Sequence, residues 1–103
     1  MKQMKKFYLY DGKGGSISVE IINDCLKFFD HMFSGPLEKE QWWDFDEINT
    51  EKLVKLLTIE DCDLKKVLLK NYSGLEGFKK LQKLWKENNI ECDYNAWTHM
   101  DFD

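Results

Sequence analysis

Residues 15–33, Gly15 to Phe33 (GSISVEIINDCLKFFDHMF), carry two competing periods, and the choice between them decides the fold. Ile17, Val19 and Ile21 alternate as a strand would, while Ile22, Cys25, Leu26, Phe29, Met32 and Phe33 recur at helical spacing. The longer pattern predicts a helix from about Ser18 to Phe33. Ser34-Gly35-Pro36 would stop it, through the left-handed tolerance of glycine and the missing N–H of proline.

Outward from that stretch, Lys5 to Tyr10 (KKFYLY) is rich in β-formers and runs into Asp11-Gly12-Lys13-Gly14-Gly15, read as strand then turn. Gln41 to Ile48 (QWWDFDEI) reads as a second strand, with Trp43 and Phe45 on one face and Trp42, Asp44 and Asp46 on the other. Thr50 is placed to cap a short helix carrying Leu53, Val54, Leu56 and Leu57. Thr58 with Asp61 resembles a capping box opening a helix through Leu64, Val67, Leu68 and Tyr72. Ser73-Gly74-Leu75-Glu76 is a better one, opening a helix with Leu75, Phe78, Leu81, Leu84 and Trp85 as its apolar stripe and Asn88-Asn89 as its end. Ile90 to Trp97 alternates strictly and reads as a closing strand, with Glu91, Asp93, Asn95 and Trp97 on its polar side.

The expected order is therefore β-α-β-α-α-α-β. It implies an α+β fold, a small three-stranded sheet with about four helices packed mainly on one face and the other face partly open. The 103 residues suffice for one domain spanning 1–103 with a single core, in which Phe29, Leu81 and Trp85 are expected.

No apolar run approaches the roughly 18 residues that cross a bilayer, and the start Met1 to Lys6 leads into a strand rather than an apolar signal segment. Cys25, Cys62 and Cys92 are odd in number and form no C-x-x-C pair. A cytoplasmic setting suits these features.

Site chemistry is sparse. Gly12-Lys13-Gly14-Gly15-Ser16 follows a strand but lacks the spacing of either phosphate-binding glycine motif. His31, expected near the end of the first helix, and His99, in the tail, have no cysteine or second histidine at ligand spacing, so no metal and no cofactor is expected. The carboxylates around Cys62 in Glu60-Asp61-Cys62-Asp63 disfavour a thiolate. No catalytic motif stands out, and the expectation is a protein that is not an enzyme.

Charge layout is more informative. Residues 38–63 hold nine acids against three lysines and residues 87–103 five acids against none, whereas residues 64–86 hold seven lysines against one acid. All fifteen basic residues are lysine, so the planar fork that grips phosphates and guanine edges is missing and nucleic acid is an unlikely partner. If the central and closing strands meet, Trp42, Asp44, Asp46, Glu47, Asp93, Asn95, Trp97 and Asp101 form one acidic surface with tryptophan anchors, suited to a basic protein partner; the alternative is that Trp42 and Trp97 are core residues and the acids serve solubility alone. The lysines of the last two helices fall mainly on polar faces, as solvated helices require.

The stretch Leu68 to Trp97 (LLKNYSGLEGFKKLQKLWKENNIECDYNAW) resembles the ends of small bacterial immunity proteins that accompany polymorphic and contact-dependent growth inhibition toxins. The shared features are a Gly-containing turn before an amphipathic helix, an Asn-rich stop, and a closing strand of alternating aromatic and polar residues. The resemblance implies a stoichiometric inhibitor that covers or distorts a cognate toxin, one with a basic, nuclease-type cleft. A lysine-rich helix-turn-helix module around Tyr72-Ser73-Gly74 and a phage-borne inhibitor of a host nuclease are the alternatives.

Overall fold

A computed structural model of the chain describes residues 4–100. Four strands come first, β1 (Met4–Gly12), β2 (Gly15–Ile22), β3 (Cys25–Ser34) and β4 (Leu37–Asp44). Three helices follow, α1 (Glu47–Leu57), α2 (Leu64–Asn71) and α3 (Gly74–Glu87), before β5 (Asp93–Met100). The strands form one antiparallel sheet in the order β1-β2-β3-β4-β5. The class is α+β, but the sheet has five strands rather than three, and three helices stand where four were expected.

The correction centres on residues 15–33, which are a hairpin and not a helix. Asn23 and Asp24 form its two-residue turn at φ 52° and 63°, between the closing pair Ile22 and Cys25. Positive φ at both central positions is the type I′ geometry, whose twist matches that of the flanking strands. Asn and Asp are the non-glycine residues that tolerate it best. The β-branched residues Ile17, Val19, Ile21 and Ile22 before the turn favour extended backbone. Gly35 and Pro36, expected to end a helix, instead join β3 to β4: Gly35 at φ 59° occupies the first central position of a two-residue turn closed by Ser34 and Leu37.

One face of the sheet packs against the helices. Register places Phe7, Val19, Phe28, Trp43 and Tyr94 side by side on it. Phe28 has no exposed surface and lies in a cluster of rings with Phe45, Phe78 and Trp85, whose centroids are 5.9, 5.4 and 5.5 Å away. Leu26, Leu53, Leu68 and Leu81 complete the centre of the core. Leu81 and Trp85 are buried as the helix period indicated. Phe29 is not in that core, because strand alternation sends it to the opposite face from Phe28.

The helix boundaries also shift. The strand expected to reach Ile48 stops at Asp44, and Asp46 caps α1, its Oδ1 accepting from the Asn49 N–H at 2.7 Å. Thr50 is not a cap. It sits fully buried inside α1, where its Oγ1 accepts from the Leu26 N–H at 2.9 Å and ties the helix to β3. Asp63, not Thr58, caps α2, and Ser73 precedes α3 without a capping hydrogen bond, its hydroxyl donating back to the Leu69 carbonyl. Asn88 and Asn89 end α3, with Asn89 left-handed at φ 55°.

Candidate functional site

The helices cover one side of the sheet, and the other side carries the candidate site. Alternation fixes its members strand by strand. Tyr8 lies opposite Ser18, which pairs with Phe29, which pairs with Trp42, which pairs with Asn95. A second row runs Ser16, His31, Glu40, Trp97, and a third Phe33, Glu38, His99. A fourth runs Glu20, Lys27, Asp44, Asp93. Aromatic rings thus cross the middle of an open sheet, with carboxylates on either side.

The rings differ in exposure. Trp97 is 45% exposed and Tyr8 46%, whereas Phe29 and Trp42 are half-buried against one another at 6.4 Å between centroids. Trp97 stacks flat on His99, with centroids 5.3 Å apart and planes 5° off parallel. Lys27 lies 4.0 Å from Asp44, a weak and solvated pairing, and Lys6 rests over the Tyr8 ring.

Of the residues named from sequence, Trp42, Asp44, Asp93, Asn95 and Trp97 share this face, joined through the β4–β5 pairing. Asp46 and Glu47 do not belong to it as strand residues. They open α1 at the rim, where Asp44, Asp46, Glu91 and Asp93 line a small acidic recess of about 150 Å³. The hydrogen bonds from Asn49 hold the Asp46 carboxyl below the usual carboxylate range. Asp101 lies outside the described residues.

Sequence reasoning missed Tyr8, Phe29, His31, Phe33, Glu38 and Glu40, all members of the same face. The signal was available in the alternation of Ile17, Val19 and Ile21, which puts Phe28 and Phe29 on opposite faces once it is continued through the Asn23-Asp24 turn. His31 sits in β3, not near a helix end, and its Nε2–H donates a 2.6 Å hydrogen bond to the Glu38 Oε1.

The side facing the helices offers less chemistry. A cleft of about 580 Å³ between α3 and β4–β5 is lined by Gln41, Trp43, Gln82, Trp85 and Tyr94. Beside it, Asp30 accepts from Gln41 at 3.1 Å, and Gln41 accepts from the Tyr94 hydroxyl at 2.6 Å. Among the described residues the second oxygen of Asp30 has no hydrogen-bond partner, and burial raises its carboxyl above the usual range against the opposing pull of Lys39 and Gln41. The thiols of Cys25 and Cys92 are both raised, by burial first and then by nearby carboxylates, so neither is a ready nucleophile.

Among the described residues no helix is long and apolar enough to cross a membrane. Comparison of the chain with protein-family models, with curated protein sequences and with solved structures gave no match.

Proposed function

We propose that this protein works by binding and has no reaction of its own, as an inhibitor of the immunity type that lays its open sheet face over a basic, nuclease-type toxin. The observation that carries the reading is the register of β3, β4 and β5, which lines up Phe29, Trp42 and Trp97 among Glu38, Glu40, Asp44 and Asp93. Rings that are large and rigid bury much area at small entropic cost, and surrounding carboxylates steer a basic partner and reject anionic ones. A nuclease cleft carries the complementary charge. The sequence resemblance over Leu68–Trp97 points the same way.

The test is to express the gene that directly neighbours this one with and without this chain, read as survival, and to follow with surface plasmon resonance on the purified pair. Trp97→Ala speeds release, at a cost of roughly 2 kcal/mol or more if the ring anchors the complex. Replacing Asp44, Asp46 and Asp93 together by Asn slows association and flattens its salt dependence while release changes little. Survival without this chain, or unchanged rates in both folded variants, refutes the reading. Salt-sensitive binding of duplex DNA that is lost on changing Lys79, Lys80 and Lys83 to Glu would favour the helix-turn-helix alternative instead.

A further inference from the structure

Three donor side chains from two adjacent strands converge on the open face. His31 and Glu40 are directly opposed across β3 and β4, and Glu38 is the diagonal neighbour of His31. The His31 Nε2 is 2.6 Å from the Glu38 Oε1 and 3.8 Å from the Glu40 Oε1, and the three donor atoms all lie within 4.8 Å of one another. Donors around a tetrahedral zinc ion, each about 2.1 Å from the metal, lie about 3.4 Å apart. On the far side of β4, His99 is the direct partner of Glu38 and projects from the same face; its ring is stacked on Trp97 and its nitrogens lie outside the 4.8 Å group, so it would have to turn off that ring to join the other three.

Two further features favour a cation. Glu38 and Glu40 are like charges on one small patch, and neither forms an ion pair with a lysine among the described residues. Lys39 between them points by alternation to the other face. The donors are also only partly exposed, at 26% for His31 and 32% and 28% for the two glutamates. The rings of Phe33 and Phe29, 4.4 and 5.8 Å from the His31 ring, shield that side from water. One imidazole, His31, can offset at most one of these two negative charges, and a divalent cation bound between the three side chains would relieve the repulsion that remains.

We propose that His31, Glu38 and Glu40, with His99 as a fourth donor, form a divalent transition-metal site of the zinc type on the open sheet face. Imidazole with carboxylate donors suits Zn²⁺, Co²⁺ or Ni²⁺ and discriminates against Mg²⁺ and Ca²⁺, which take oxygen alone. The bound ion would place a positive centre beside Trp97 and pin β5 to β3 through donors on both sides of β4. The site goes beyond the binding role proposed above and is tested without any partner, so either can fail alone.

The full chain is titrated with Co²⁺ alone, followed by visible absorption, and with Zn²⁺ alone by calorimetry. One saturable equivalent is expected, with the absorption of nitrogen and oxygen ligation and no thiolate charge-transfer band. His31→Gln and Glu40→Gln should each weaken binding by about 100-fold, and His99→Gln by about tenfold, with Mg²⁺ failing to compete. Circular dichroism establishes that each variant is folded, and Glu38→Gln serves as a further ligand variant should one of the others unfold. Absence of saturable binding, affinity unchanged in folded His31→Gln, or a thiolate band abolished by Cys62→Ser would each overturn the assignment.

Discussion

Phe28 and Phe29 are neighbours in sequence and opposites in the fold, and replacing each by alanine separates the two readings of residues 15–33. Phe28 is fully buried and packs its ring against Phe45, Phe78 and Trp85. Truncating a core phenylalanine costs about 3–5 kcal/mol through lost transfer energy and the cavity left behind. Three aromatic neighbours, each worth about 0.5–1.5 kcal/mol beyond area burial, put Phe28→Ala in the upper half of that range. Phe29 faces the open side, with Trp42 at 6.4 Å and His31 at 5.8 Å as its ring neighbours. A cross-strand pair of that kind contributes about 0.2–1 kcal/mol. The two variants should therefore differ by about 2 kcal/mol or more, a large share of the roughly 5–15 kcal/mol that holds a domain folded. Urea denaturation followed by circular dichroism measures both, provided the slope is shared. Costs within about 1 kcal/mol of each other, or a larger cost at Phe29, would refute the strand assignment, since on the helix that the spacing of residues 22–33 suggests Phe29 lies on the apolar stripe and Phe28 does not.

Two further outcomes follow from the same geometry. Burial raises the Asp30 carboxyl in the folded state, so the folded protein binds the proton more tightly than the unfolded chain, and stability is lost as pH rises through the interval above the ordinary carboxylate value. Asp30→Asn should accordingly be more stable than the parent near neutral pH, and its advantage should shrink as the pH falls through that interval; a urea series at several pH values checks this, and an advantage that grows on acidification contradicts it. At the β2–β3 turn, Asp24 stands at φ 63°, so Asp24→Val should cost about 1–2 kcal/mol while Asp24→Asn stays within about 0.5 kcal/mol. Thermal melts of the two variants decide it, and a harmless valine would mean that the turn is not left-handed.

Elements whose evidence is local were legible from the residues alone. α3 is legible from its apolar stripe through Phe78, Leu81 and Trp85 and its Asn88-Asn89 end, because each signal acts within a few residues of the backbone it shapes; Ser73 marks its start by position, though the capping hydrogen bond expected of it does not form. The alternation around Trp42 and Asp44, and again around Asp93, Asn95 and Trp97, likewise needs only the period-two geometry of an extended chain. Residues 15–33 cannot be settled this way, since Ile17, Val19 and Ile21 alternate as a strand while Ile22, Cys25, Leu26, Phe29, Met32 and Phe33 recur at helical spacing. Long-range pairing decided between them. β3 gains a partner strand on each edge and a covering layer of helices, and its burial against Val19, Trp43 and Trp85 has no counterpart in local propensity. The same pairing decided the site. Trp42 meets Asn95 and Glu40 meets Trp97 only because a chain that leaves β4 at Asp44 returns antiparallel beside it 49 residues later, at Asp93. His31 acquires Glu38 and Glu40 through the Gly35-Pro36 turn, whose geometry sets the register that no spacing rule for a helix contains.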